Sequence, residues 1–350
     1  MTDILIRIEG RAGRITLNRP KALNALTEDM ARALDLALRD WAEDPAVSLI
    51  IIDAAGERAF CAGGDIVDLY AAGRAGRFEE GQRFWRFEYR MNARIAAYEK
   101  PIVTLMQGFT MGGGVGVGCH AQVRVVGDSS RIAMPECGIG LVPDVGGSYL
   151  LARAPGRIGT YLGTCAARMG PADAILAGFA DVFVPEAEWP ALIATLCETG
   201  EVSDLDPFRR PPPERRLAAL RPQIDRLFAG KTLADIWKAL AEDTPFATEA
   251  RAQLAAVSPL SAACTVAMLR RLGPLPDMAS ALALEYRFTH RAQEHADFLE
   301  GIRAAVIDKD RRPRWRHASP DAVTEAEVEA MLAPLGPEEW TPEKSVEDNA

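Results

Sequence analysis

Three glycine-rich segments, each set just after a short apolar run, constrain this chain more than any other feature. The first is Ala59-Phe60-Cys61-Ala62-Gly63-Gly64-Asp65-Ile66. The second is Gly108-Phe109-Thr110-Met111-Gly112-Gly113-Gly114-Val115-Gly116. The third runs Met134-Pro135-Glu136-Cys137-Gly138-Ile139-Gly140-Leu141-Val142-Pro143-Asp144-Val145-Gly146-Gly147. Consecutive glycines permit dihedrals closed to other residues and let a ligand or a second backbone come close. The second segment opens a helix, whose N-terminus presents unpaired N–H groups and the positive end of the dipole. Two such donors, one from each of the first two segments, suit an oxyanion hole. The plainer alternative for any one segment is a tight turn with close helix–strand packing. None reads as a Gly-Lys-Ser/Thr phosphate loop, and no GxGxxG follows the first strand, which excludes a Rossmann dehydrogenase.

The third segment carries two carboxylates, Glu136 and Asp144, in an otherwise apolar stretch. Desolvation there raises a carboxyl pKa, which suits a general base or a nucleophile. The plainer alternatives are a solvent-facing loop residue for Glu136 and an N-cap role for Asp144 on a helix starting near Val145.

The rest of the chain alternates short strands with helices, the pattern of an α/β fold. Ile4–Ile8 and Arg14–Leu17 alternate apolar and polar residues about a glycine-bearing turn and predict a hairpin. Thr27 is a candidate N-cap for a helix running to about Glu43. Val47–Ile52, Ile102–Met106 and Gln122–Val126 predict buried strands, and Arg83–Tyr98 a helix. Strand signals end after Val184. Glu201–Pro213 is polar and proline-rich and predicts a linker or domain edge. Beyond it Glu214–Phe228, Leu233–Glu242, Pro259–Leu272 and Met278–His295 predict helices. The polar tail Pro342–Ala350 is expected to fray. No exact internal repeat is visible.

Charge and cysteine usage narrow the function classes. The 350 residues carry a net charge of -9 and no basic stripe, which argues against a nucleic-acid partner. The six cysteines, Cys61, Cys119, Cys137, Cys165, Cys197 and Cys264, are scattered and predict reduced thiols, with no metal-ligand spacing. His120, His290, His295 and His317 stand in no triad-like context and are expected at the surface or in the core. The N-terminus lacks a targeting pattern and no apolar run reaches membrane-spanning length. The expectation is a cytoplasmic protein with no membrane partner.

In their order and spacing, the three segments resemble the crotonase (enoyl-CoA hydratase/isomerase) superfamily. The resemblance begins at Leu17-Asn18-Arg19-Pro20-Lys21-Ala22-Leu23-Asn24-Ala25-Leu26 and continues to about Pro185. It implies an α/β fold, a spiral of ββα units forming an acyl-CoA-binding catalytic core over residues 1–200. A helical C-terminal region follows over 214–335. It further implies an acyl-CoA substrate held with its carbonyl against the N–H groups of Gly64 and Gly113. By motif match, Arg19 and Lys21 would contact the phosphates of CoA, with plain surface charge an equal alternative. Ala22, Ala62, Gly63, Asp65 and Gly112 would line the substrate path. No metal and no cofactor are implied, since CoA is part of the substrate. The C-terminal helices are expected to cover the active site or to join copies of the chain as a homo-oligomer.

Within the superfamily the chain is most similar to the 3-hydroxyisobutyryl-CoA hydrolases of valine catabolism. Asp144 stands where a plain hydratase has glycine, and Gly116 where a hydratase has its second glutamate. The segment Asp297-Phe298-Leu299-Glu300-Gly301-Ile302-Arg303-Ala304-Ala305-Val306-Ile307-Asp308-Lys309-Asp310 is similar to that family's C-terminal signature. Cys137-Gly138 departs from the Thr-Ala of those hydrolases and is expected to alter the acyl pocket. The resemblance implies catalysis by Glu136 and Asp144, with Glu136 either activating water or attacking the thioester itself. A hydratase or isomerase is the nearest alternative, and a non-catalytic acyl-CoA-binding protein one of another class.

Overall fold

The computed structural model describes residues 2–213 and 215–342, so all but the first residue of the tail expected to fray lies outside it. The predicted hairpin forms from β1 (Ile4–Glu9) and β2 (Ala12–Leu17), paired antiparallel with Ile4 opposite Leu17. Seven strands follow: β3 (Leu49–Ala54), β4 (Ala59–Cys61), β5 (Ile102–Met106), β6 (Phe109–Met111), β7 (Val123–Val126), β8 (Arg131–Ala133) and β9 (Val182–Phe183). They sort into a six-stranded sheet, β1-β2-β3-β5-β7-β9, and a three-stranded sheet, β4-β6-β8. Every pairing beyond the hairpin is parallel.

Along the chain, β3, β5 and β7 of the large sheet are each followed at once by a strand of the small sheet, then by helix. Val67–Arg74 and Phe78–Ala96 follow β4; Gly113–Gly118 follows β6; Gly147–Arg153 follows β8. The ββα unit therefore recurs three times and the chain spirals, although the sequence shows no repeat. The recurrence is one of backbone path, and different side chains fill each turn.

The central strands β3 and β5 are buried on both faces, which is why they read as unbroken apolar runs, whereas the edge strand β1 leaves Leu5, Ile6 and Ile8 exposed. Ile50 and Ile52 point into the main core with Met30, Leu34 and Leu38 of the helix Glu28–Ala42, which Thr27 caps as expected. Leu49 and Ile51 point the other way, onto Leu192 and Leu196 of the helix Trp189–Thr199. That second cluster also takes in Leu205, from a 3₁₀ segment Val202–Phe208, and Arg210 donates its N–H to the Phe183 carbonyl at 3.0 Å. Glu201–Pro213 is thus not a linker. Its apolar residues, spaced by prolines and aspartates, dock on the back of the sheet.

The C-terminal helices Arg216–Leu227, Leu233–Ala239, Pro245–Ala256, Pro259–Leu272 and Met278–His295 extend the main core. Glu214, where the first was expected to start, lies outside the described residues. Met278–His295 is fastened to the helix Phe78–Ala96 and its neighbour by polar ties. Gln82 donates to the His290 carbonyl at 3.1 Å, and Gln293 to the Leu69 carbonyl at 2.7 Å. Among the described residues no single helix is long and apolar enough to cross a membrane.

Candidate active site

The small sheet explains why three distant glycine-rich segments meet. Its strands β4, β6 and β8 are adjacent and parallel, so their C-terminal ends lie side by side. The residues that leave those ends are Ala62-Gly63-Gly64, Gly112-Gly113 and Met134-Pro135-Glu136. All of them except Met134 line one cavity of about 110 Å³.

Two glycines hold backbone angles that force the turns, Gly63 at φ +123° and Gly112 at φ +49°. Gly113 is the first residue of its helix, so its N–H has no partner within that helix. A Cβ placed on Gly113 would lie 3.3 Å from the Gly64 nitrogen and 3.1 Å from Glu88 Oε1. The Gly64 and Gly113 amides thus border one small space, the arrangement an oxyanion hole requires.

The N-terminal motif braces this turn. Leu23 and Asn24 both adopt left-handed backbone, at φ +52° and +54°. The Asn24 side chain accepts the Arg19 N–H at 2.8 Å and donates to the carbonyls of Ala55 and Ala59 at 3.0 and 2.9 Å. The turn so fixed takes the Ala62 N–H on the Leu23 carbonyl and the Asp65 N–H on the Leu26 carbonyl. The Gly64 N–H stands between those two bonds and outside that ladder. Arg19 is drawn into the same brace: its guanidinium donates to Asp65 Oδ2 at 3.2 Å and to the Ala25 carbonyl at 2.7 Å, and pairs with Asp3. Of the two expected phosphate contacts, Arg19 has internal partners, whereas Lys21 is exposed beside the exposed Ala22.

Glu136 starts a single 3₁₀ turn, Glu136–Ile139, and is only 4% exposed. Its Oε2 has no hydrogen-bond partner. Burial, and after it the negative charge of Asp144, holds this carboxyl well above its ordinary range. Asp144 is equally buried and accepts the Tyr89 hydroxyl on Oδ2 at 2.8 Å. Burial pushes its pKa up to about 7 against the opposing effect of that bond. Neither plainer alternative holds. Glu136 does not face solvent, and the helix after Asp144 begins at Gly147 with Gly146 as its cap.

The sequence reading missed a third carboxylate. Glu88, on the helix Phe78–Ala96, lines the cavity at 3% exposure with Oε1 unpartnered. Burial and Asp144 together hold it well above its ordinary range. The signal lay in periodicity: Phe84, Trp85, Glu88, Tyr89, Asn92 and Ile95 form one buried stripe, in which Glu88 and Asn92 are the polar members. Among the described residues no lysine or arginine lines the cavity to offset the mutual repulsion of its three carboxyl groups, which adds to burial in favouring their neutral forms.

Gly116 and Cys137 have definite places. A Cβ on Gly116 would lie 2.6 Å from Asn92 Nδ2 and 2.9 Å from Val145 Cβ, so a glutamate there has no room. Cys137 does not reach the acyl cavity as expected. Its thiol lies 3.3 Å from the Gly163 carbonyl and 3.4 Å from Thr265 Oγ1, on the far side of the 3₁₀ turn. The C-terminal signature segment packs on that same turn. Phe298 lines the cavity, a Cβ on Gly301 would meet the Ile139 carbonyl oxygen at 2.1 Å, and Asp297 accepts Ser258, whose N–H in turn binds the Cys137 carbonyl. The C-terminal helical region thus contributes Phe298 to the wall of the cavity and packs against the turn that carries Glu136.

A two-sheet spiral that gathers glycine amides and buried carboxylates at three strand ends is the architecture of the enoyl-CoA hydratase/isomerase family. That family's model matches residues 12–332, and the chain belongs to it. Among the curated relatives, the mitochondrial 3-hydroxyisobutyryl-CoA hydrolase of Danio rerio is 38% identical over 349 residues, 95% of this chain and 90% of its own. The hydrolase of the same name from Homo sapiens is 37% identical over 355 residues, covering 95% and 89%. Two solved structures superimpose closely. An enoyl-CoA hydratase from Rhodobacter sphaeroides 2.4.1 is 63% identical with a TM-score of 0.94, covering 97% of this chain and 100% of that one. A carnitinyl-CoA dehydratase from Mycobacterium thermoresistibile is 43% identical with a TM-score of 0.93, covering 99% and 100%. The hydrolases are named as mitochondrial, so the expected cytoplasmic location finds no support in them.

Proposed function

We propose that this enzyme hydrolyses the thioester of a short 3-hydroxyacyl-CoA of the 3-hydroxyisobutyryl type, releasing the free acid and CoA as in valine catabolism. The observation that carries this reading is the pair Glu136 and Asp144, both buried in one small cavity beside the Gly64 and Gly113 amides. In this reading the two N–H groups stabilise the oxyanion that forms as the carbonyl becomes tetrahedral, each worth roughly 3–4 kcal/mol. Glu136, with a raised proton affinity and an unpartnered oxygen, takes the proton of the attacking water or attacks the carbonyl carbon itself; both routes end in the same products. Asp144, titrating near 7, moves a proton in the second half of the reaction or holds the substrate hydroxyl. Lys21 and the backbone near Ala22, Ala62 and Asp65 serve the CoA moiety.

A second reading is hydration of an enoyl-CoA, the activity for which the 63% identical protein from Rhodobacter sphaeroides is named. Glu88 would then act as the second glutamate, arriving from a different element than position 116. One assay separates the two. Purified protein is given 3-hydroxyisobutyryl-CoA, 3-hydroxypropionyl-CoA and crotonyl-CoA, beside the Glu136→Gln variant. Thiol release from the hydroxyacyl substrates, abolished in the variant, is expected. Loss of enoyl absorbance from crotonyl-CoA without thiol release would overturn the hydrolase reading.

A further inference from the structure

The helix Met278–His295 sends one carboxylate, Glu285, into the back of the loop that carries Asp144. Glu285 is 0% exposed and is not among the residues lining the cavity. Its Oε2 accepts the Gly146 N–H at 2.8 Å, and its Oε1 accepts both the N–H of Ser148, at 2.9 Å, and the Ser148 hydroxyl. Among the described residues it has no cationic partner, and a buried unpaired carboxylate is costly unless hydrogen bonds satisfy it. Three donors converging from two nearby residues offset part of that cost, although burial still pushes the Glu285 carboxyl up to about 8.

The loop those donors belong to is strained. Val145, a β-branched residue, sits in the left-handed region at φ +53°, and Gly146 follows at φ +78°. Such backbone persists only where the surroundings over-determine it. Here each residue is held from a different element. Tyr89 donates to Asp144, the His120 ring lies 2.8 Å from the Val145 carbonyl, and Glu285 takes Gly146 and Ser148. Of these three holds, the one from Glu285 belongs to the C-terminal helical region.

We propose that Glu285 is a positioning residue for Asp144: by gripping Gly146 and Ser148 it fixes the strained turn and so the direction in which the Asp144 carboxylate faces Glu136. The inference rests on Asp144 being one of the reacting pair. Glutamine at position 285 keeps the size of the side chain but has one acceptor oxygen in place of two, and its NH₂ group would face an N–H donor.

The test is a set of variants, Glu285→Gln, Ser148→Ala and Asp144→Asn, with the Glu285→Gln/Asp144→Asn double variant. For Glu285→Gln, kcat for thiol release is expected to fall at least about 20-fold with KM within about threefold. Ser148→Ala, which removes one of the three donors, loses several-fold. In the Asp144→Asn background Glu285→Gln costs nothing further, because a residue acting only through Asp144 has nothing left to position. Amide hydrogen exchange supplies a readout independent of turnover. The Gly146 and Ser148 amides exchange faster in Glu285→Gln while the strands of the large sheet keep their protection. Unchanged exchange at both amides, a wild-type kcat in Glu285→Gln, or a further loss on top of Asp144→Asn would each overturn the proposal. Failure of the wild-type protein to release thiol counts against the proposed function alone, and the exchange measurement still decides the clamp.

Discussion

The Tyr89 hydroxyl donates a 2.8 Å hydrogen bond to Oδ2 of Asp144, and both residues are buried. The bond favours the charged carboxylate and so opposes the upward push of burial, which leaves Asp144 near 7. Tyr89→Phe removes that bond while keeping the ring. The Asp144 pKa should then rise further, and an activity that needs its carboxylate should move its ascending limb to higher pH by about one unit, a tenfold loss at a pH well below the limb. A pH profile of kcat/KM for the variant checks this, and an unshifted limb would separate Asp144 from the reaction.

The same raised pKa has a consequence for stability. The folded state keeps a proton on Asp144 up to about pH 7, whereas the unfolded chain releases it near 3.8. Between those values the folded protein binds more protons than the unfolded one, so stability falls as pH rises and levels off above about 7. Asp144→Asn should flatten that part of the curve and gain on the order of 4 kcal/mol relative to wild type on going from acid to neutral pH. Urea unfolding of both proteins across that window measures the difference. Parallel curves would place the carboxyl outside the low-dielectric interior.

Neighbouring glycines should respond to alanine in opposite ways. A Cβ on Gly113 enters the space beside the Gly64 nitrogen, whereas one on Gly114 would lie 2.1 Å from the Cys61 carbonyl oxygen. Gly113→Ala keeps both N–H groups but puts a methyl into the space they border, and should fold with kcat/KM reduced about 100-fold or more, as large as the loss of an oxyanion donor. Gly114→Ala should fail to fold or melt far earlier, because only backbone could yield. Melting curves and thiol release on the two variants, side by side, test the assignment.

Asn24 gives a prediction at the edge of the site. Asn24→Ala strips partners from the Arg19 N–H and from the Ala55 and Ala59 carbonyls. At about 1–3 kcal/mol for each group left unsatisfied, the three groups give a loss of roughly 3–9 kcal/mol, expected toward the lower end because the Arg19 and Ala55 bonds are only half-buried. Residual activity should show a raised KM, since this turn braces Ala62 and Asp65. A fall in kcat alone would argue against a bracing role.

What could be read in the sequence and what could not divide along physical lines. Glu136, Asp144, Gly64 and Gly113 stood out because carboxylates and paired glycines are conspicuous in apolar surroundings, and the cavity does gather them. Strands β4, β6 and β8 have three residues each, too short for any period to show, so the small sheet that brings the segments together was invisible without the family resemblance. Glu88 and Glu285 sit inside ordinary amphipathic helices and look like surface charge until the buried stripe is drawn through them. Glu201–Pro213 misled because its prolines and charges outweighed Val202, Leu205 and Phe208, which dock it on the sheet.

The spiral distributes the work unequally among its turns. The first two contribute main-chain amides, which any sequence compatible with those turns supplies, so in the proposed function polarisation of a carbonyl would be inherited with the scaffold. The third contributes Glu136 and Asp144, whose identity a single codon can change. On that proposal, descendants of such a chain would exchange one reaction for another by drift within a dozen positions after β8 while the amides of the first two turns pass on unchanged, one route by which a single fold carries many chemistries.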